Sequence, residues 1–188
     1  MKMEKVYTID IAGLKRDLPL CKIGDDLYIG AFIMFGDVEI TQKSAEELLN
    51  KAPEFDVLIT AESKGIPLVH EMARQSGRNY YIVARKGPKL YMKNVISTNV
   101  DSITTAHTQM LCIGSAEAEA MRGKRVLIVD DVISTGESLS SLETLINQVG
   151  GNIVGRMCVL AEGDAIGRKD ITYLSPLPLF HEDGSIVE

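Results

Sequence analysis

Four stretches of the chain are short, apolar and rich in β-branched residues: 56–61 (DVLITA), 79–84 (NYYIVA), 125–130 (RVLIVD) and 152–160 (NIVGRMCVL). Runs of this length with little polar alternation match strands buried on both faces of a parallel sheet. Between them the apolar period changes to three and four. Residues 65–76 carry Ile66, Val69, Met72 and Ala73, and residues 137–149 carry Leu139, Leu142, Leu145, Ile146 and Val149 before the stop Gly150-Gly151. Strand alternating with helix predicts an α/β fold, an open and mostly parallel sheet with helices on both faces.

Two regions break the rhythm. Residues 1–40 read as short strands and turns punctuated by Gly13, Pro19, Gly24, Gly30 and Gly36, which predicts a small N-terminal lobe attached to the core. Residues 86–114 lack a helical stripe and are rich in Ser, Thr and Asn. There YMKNVISTNV and SITTAHTQMLCI read as two extended arms meeting near Asn99 to Ser102, a hairpin or mobile flap over 90–114. The apolar, proline-punctuated segment 174–180 (LSPLPLF) packs either on the lobe or on a partner, and the acidic tail HEDGSIVE reads as a solvated end.

At 188 residues the chain suits a single domain, and 45% hydrophobic with 24% charged residues sets disorder aside. No uninterrupted apolar run approaches the length of a membrane span, so no membrane partner is expected. The net charge of −6 opposes a nucleic-acid footprint, which needs a basic stripe. MKMEKVYTID lacks the pattern of a secretory signal, so a cytoplasmic setting is expected. Cys21, Cys112 and Cys158 have no C-x-x-C spacing and lie in or beside apolar segments, as buried free thiols do.

The chemistry concentrates in 125–139, RVLIVDDVISTGESL, where an apolar strand ends in two acids and a small-residue loop opens a helix. In an open α/β sheet, ligands sit beyond the carboxyl ends of the strands, where this turn lies. Backbone N–H groups from Ser134 through Thr135, Gly136 and Glu137 to Ser138, with the helix N-terminus, form a cradle suited to phosphate. Gly136 lets the backbone come close, and Asp130 and Asp131, which repel phosphate, suit sugar hydroxyls instead. The segment is built for a ribose phosphate.

VLIVDDVISTGES is similar to the phosphoribosyl-pyrophosphate motif of the type I phosphoribosyltransferases, most closely the adenine-specific members. Further matches follow in order. Glu62-Ser63-Lys64-Gly65 resembles the E-x-R-G pyrophosphate loop, with lysine for arginine, and Arg85-Lys86-Gly87-Pro88-Lys89-Leu90 resembles R-K-x-G-K-L. Phe35-Gly36-Asp37-Val38 resembles the F-x-D-I element of the hood over the purine, which implies that Phe35 stacks on the base. The resemblance implies one phosphoribosyltransferase domain over 1–188, with 1–40 as its hood and the flap within it.

It further implies transfer of ribose phosphate from phosphoribosyl pyrophosphate to a purine, with adenine giving AMP and pyrophosphate. Arg85, Lys86, Lys89 and Lys64 would neutralise pyrophosphate, and Mg2+ would bridge substrate oxygens. Asp130 and Asp131 would orient the hydroxyls, directly or through water, and a homodimer is implied.

Departures matter too. Residues 95–113 lack the Y-x-L-E-Y-G flap element of adenine-specific members, leaving His107 as the one flap histidine able to shuttle a proton near neutral pH. Hypoxanthine-guanine members resemble E-D-x-x-D-T-G, whereas this chain has Asp130 at the leading place and Ser134 at the later acid, which favours adenine. Another base such as xanthine or hypoxanthine, and a non-catalytic regulator that binds the donor, are the alternative readings.

Overall fold

The four apolar runs lie side by side in one parallel sheet. The computed structural model describes residues 5–62, 64–98 and 110–187. In chain order come β1 (Val6–Ile11), β2 (Leu14–Gly24), β3 (Leu27–Gly30), α1 (Val38–Lys51), β4 (Val57–Ala61), α2 (Ile66–Gln75) and β5 (Ile82–Ala84). Then follow β6 (Ile96–Ser97), β7 (Cys112–Ile113), α3 (Ser115–Met121), β8 (Arg125–Ile133), α4 (Glu137–Gln148), β9 (Asn152–Glu162), β10 (Thr172–Leu177) and β11 (Leu179–Phe180).

The main sheet has the order β10-β9-β8-β4-β5, with every pair parallel. Successive side chains point to opposite faces, so β4 and β8 split between two cores. Val57, Ile59, Val126 and Ile128 pack with Ala118 and Met121 of α3 and Leu139, Leu142, Leu145 and Ile146 of α4. Leu58, Leu127 and Val129 pack with Ile40, Ala45 and Leu48 of α1 and Leu68, Val69 and Met72 of α2. Helices therefore cover both faces, as expected. Among the described residues no helix is long and apolar enough to cross a membrane.

Besides the short helix α3, two elements of this framework were not read from the pattern. The buried face of α1 includes Thr41 and Ser44 beside Ile40, Ala45 and Leu48, so two of its five buried residues are polar. The helix is nonetheless well begun: Asp37 accepts the Ile40 N–H at 3.0 Å as its N-cap, and Arg16 on β2 grips the same carboxylate at 2.6 Å. The second element is β10, whose Pro176 argues against a strand. At the sheet edge a residue without an N–H is tolerated.

The N-terminal lobe is a four-stranded antiparallel sheet of order β1-β2-β3-β11. Its last strand settles the fate of LSPLPLF. The segment leaves the main sheet as β10, turns at Pro178 and pairs with the hood, Leu179 opposite Ile29 and Phe180 opposite Tyr28. Phe180 also packs on Tyr7 with ring centroids 4.8 Å apart. The tail after it is exposed but tied down, because Asp26 accepts the Glu182 N–H at 2.7 Å and meets His181 Nδ1 at 2.9 Å.

The base of the expected hairpin is a short antiparallel ladder, Ile96 opposite Ile113 and Ser97 opposite Cys112, while its tip, including His107, lies outside the described residues. The thiols are all free, with Cys112 and Cys158 buried. Cys21 corrects the expectation, for it is exposed on β2. Burial pushes the Cys158 thiol up to about 12, so it is inert at neutral pH.

Candidate active site

The carboxyl ends of β4, β8 and β9, the turn after β5 and the strand leaving the hood converge on one cavity of about 480 Å³. This is where an open parallel sheet places its ligands. Its polar wall comprises Glu62, Lys64, Lys86, Asp130, Asp131, Ser134, Ser138 and Glu162. Opposite stand the hood residues Ile29 to Ile33, an apolar surface on which a flat heterocycle can lie.

Two adjacent carboxyls form the floor. Asp131 is buried, and its N–H donates to Asp130 Oδ1 at 2.9 Å. Burial, and then the Asp131 charge, push the Asp130 carboxyl well above the ordinary aspartate range. Among the described residues Asp131 Oδ2 is buried without a hydrogen bond, although Lys64 Nζ stands 3.2 Å away as an ion pair. Such an orphaned acceptor is what a sugar hydroxyl would satisfy.

Lys64 bridges two parts of the molecule, since its ammonium also donates to the Phe32 carbonyl of the hood at 3.3 Å. Next to it, Gly65 starts α2, with Pro67 in the first turn. Its φ of −69° is ordinary, so positive φ is not why glycine stands here. The reason is space: a Cβ would fall 2.5 Å from Thr60 Oγ1 and 2.9 Å from Asp130 Oδ1.

Glu62 works on protein groups. Its Oε2 accepts the Lys86 N–H at 3.1 Å and its Oε1 pairs with Arg85 Nη2 at 3.2 Å. That hydrogen bond, with help from Arg85, Lys89 and Lys86, holds the Glu62 carboxyl below the usual range. Glu62 thereby fixes the basic turn after β5. Lys86 lines the cavity, while Arg85 and Lys89 stand on the same turn outside its lining. Arg85 exchanges backbone hydrogen bonds of 2.8 Å with Cys112, joining this turn to the returning arm of the expected hairpin, and its Nε is buried without a partner among the described residues.

At the start of α4, Gly136 takes the left-handed φ of 82° that glycine accepts without strain, while Ser134 and Ser138 face the cavity. The first N–H groups of a helix have no intrahelical acceptor, and the helix dipole there favours an anion. Thr135, Gly136 and Glu137 complete the turn outside the lining.

The structure brings Asp130, Asp131, Ser134, Ser138, Glu62, Lys64 and Lys86 together. Phe35 is not brought there: it is half exposed and absent from the lining, and the aromatic that does face the cavity is buried Phe32. Ser63 lies outside the described residues. Sequence reading missed Glu162, at the end of β9, whose carboxyl is pushed up by burial. The signal was present, for an acid closing a buried apolar strand sits at the ligand end of the sheet.

A model of the family described as phosphoribosyl transferase domain matches residues 38–183. An adenine phosphoribosyltransferase of Bifidobacterium longum (strain DJO10A) is 35% identical over 120 residues, 63% of this chain and 58% of the relative. In this and similar curated relatives the chain spans 58% to 65% of the relative's length. A hypoxanthine/guanine phosphoribosyltransferase of Methanotorris igneus is 29% identical over 160 residues, 82% of each chain. The solved structure of an adenine phosphoribosyltransferase from Thermoanaerobacter pseudethanolicus superposes with a TM-score of 0.61 at 24% identity, covering 74% of this chain and 82% of that one.

Proposed function

The chain belongs to the phosphoribosyl transferase domain family, and from that premise we propose that it transfers the phosphoribosyl group of phosphoribosyl pyrophosphate to adenine, releasing AMP and pyrophosphate in purine salvage. The observation that carries this reading is the convergence of three loops, after β4, β5 and β8, on a cavity with an acid pair on its floor and an apolar hood above. The relatives named for adenine support the choice of base, as does Ser134 where a carboxylate would suit an oxopurine.

In the reaction a purine nitrogen forms a bond to the anomeric carbon of ribose as the bond from that carbon to the pyrophosphate oxygen breaks. The nitrogen gives up its proton, and pyrophosphate takes the bonding electrons. No protein nucleophile is required, so rate comes from placement and charge. Asp131 and Asp130 accept from the ribose hydroxyls. Ser134, Thr135, Gly136, Glu137 and Ser138 seat the 5′-phosphate through the loop backbone and hydroxyls. Lys86, with Arg85, Lys89 and Lys64 behind it, meets the pyrophosphate beside Gly65. Lys64 has three donors, and pyrophosphate is the stronger anion. As Lys64 turns to it, Asp131 is released to the sugar.

Among the described residues no group of three or more His, Cys, Asp or Glu side chains is placed to hold a metal ion. A Mg2+ ion suits the site as a substrate-borne ion, since it keeps waters and binds phosphate oxygens. Asp130 and Asp131 would reach it through water, and its chemistry would be to neutralise the leaving group. A homodimer fits the exposed Ile33, Phe35 and Val38 beside the groove under Met34, Pro67 and Tyr81. Three free thiols fit the reducing cytoplasm.

The test is a panel of adenine, hypoxanthine, guanine, xanthine, uracil and orotate with phosphoribosyl pyrophosphate and magnesium, following nucleotide and pyrophosphate. AMP from adenine alone is expected. Turnover of another base in preference overturns the specificity, and tight donor binding without any turnover overturns the enzyme in favour of a regulator.

A further inference from the structure

One cation is aimed at the phosphate loop from an element far from it in sequence. Arg168 lies in the segment joining β9 to β10, and its Nη1 stands 2.9 Å from the point a Cβ on Gly136 would occupy. Asp170 grips the other edge of the guanidinium, Oδ1 to Nε at 3.0 Å and Oδ2 to Nη2 at 2.6 Å. A two-point grip of this kind fixes the plane of the fork. Nη1 makes no hydrogen bond or ion pair among the described residues.

The placement is electrostatically odd for an unliganded protein. Gly136 caps the N-terminus of α4, the end whose dipole repels cations, so a guanidinium there is disfavoured unless an anion lies beside both. The acids that act on Arg168 are Asp170, at its far edge, and Glu143, further along α4. Neither occupies the mouth of the loop. The two positive features, a helix start and a guanidinium held by one edge, face the same position.

We propose that Arg168 closes the 5′-phosphate site from the side opposite the loop backbone, Nη1 donating to a phosphate oxygen while Asp170 holds the fork in line. The inference rests on the phosphoribosyl reading and extends it to a residue outside every motif matched above. It also gives Gly136 a second reason to be glycine: a side chain there would displace Nη1 as well as strain the backbone. The chemistry recognised is a phosphomonoester on a ribose, so the clamp distinguishes nucleotide from nucleoside and leaves the base unread.

The experiment compares AMP with adenosine by titration calorimetry, and measures steady-state kinetics with phosphoribosyl pyrophosphate and adenine, for wild type, Arg168→Gln, Arg168→Lys and Asp170→Asn. In Arg168→Gln the affinity for AMP should fall about tenfold or more, as for loss of a hydrogen bond between charged groups, while adenosine binding is unchanged. The KM for the donor should rise more than kcat falls. Arg168→Lys should recover part of the loss, and Asp170→Asn should fall between, with melting temperatures near wild type. A preference for AMP over adenosine that survives Arg168→Gln intact overturns the clamp alone. A wild type that binds AMP no better than adenosine overturns the phosphoribosyl reading and the clamp with it.

Discussion

Gly65→Ala adds one methyl group at the point where helix α2, strand β4 and the acid pair meet. The native φ and ψ of −69° and −11° suit any L-residue, so the whole effect is steric. The new Cβ would lie 2.5 Å from Thr60 Oγ1, 2.9 Å from Asp130 Oδ1 and 3.4 Å from Asp130 Cα. Thr60 is fully buried and β-branched, and Asp130 accepts the N–H of its neighbour. Either α2 moves off the sheet or the Asp130 carboxyl turns. Overpacking of this kind costs about 1–3 kcal/mol. At about 2–4 °C per kcal/mol for a chain of this size, Tm should fall by roughly 2–12 °C. If the carboxyl turns, the same energy appears in the barrier, and kcat/KM should fall by about fivefold to more than a hundredfold. Differential scanning fluorimetry and initial rates measure both. Adding Thr60→Ala removes the shorter clash but not the one with Asp130, so the double variant should regain part of the Tm without regaining turnover. A Gly65→Ala protein with wild-type Tm and wild-type kcat/KM would refute the account of this glycine.

Two further outcomes follow from the acids of the cavity. Asp131→Asn removes the charge beside Lys64 and the acceptor offered to the sugar, so kcat should drop by about a hundredfold or more with an unchanged circular dichroism spectrum; normal kinetics would contradict that role. Burial raises the Glu162 carboxyl, so the folded protein holds that proton more tightly than the unfolded chain. The associated stability is complete below the unfolded glutamate pKa and is lost as pH rises through the folded one. Glu162→Gln should therefore gain Tm over wild type on going from pH 4 to pH 8, and a difference that does not vary with pH would count against it.

The sheet was legible because its strands are buried on both faces, and a strand in that position can use almost nothing but apolar residues. LITA and VLIV therefore stand out whatever surrounds them. Helix α4 was legible for the opposite reason, since one covered face produces a clean stripe of leucines. Helix α1 escaped because Thr41 and Ser44 interrupt its buried stripe of five residues. Strand β10 escaped because Pro176 reads as a break, and only its edge position makes the proline harmless. In both cases a tertiary neighbour decides what the local pattern leaves open.

For the site, what could be read was whatever one loop carries by itself. The acid pair and the phosphate turn are contiguous, so strand, acids, glycine and helix start explain one another within fifteen residues. The hood was less legible. In an extended segment each step of one residue reverses the side chain's direction, so a motif cannot by itself choose between Phe32 and Phe35. Packing puts Phe32, and not Phe35, in the lining of the cavity, and the Phe32 carbonyl also receives Lys64. Arg168 carries no local pattern at all, and Glu162 only that of an acid closing an apolar strand. Their place is set by the parallel pairing of β9 with β8, which brings the end of one strand and the segment after it beside the turn that follows the other. A residue that serves a site across such a pairing gains its meaning from register, and register is a property of two strands that neither sequence states alone.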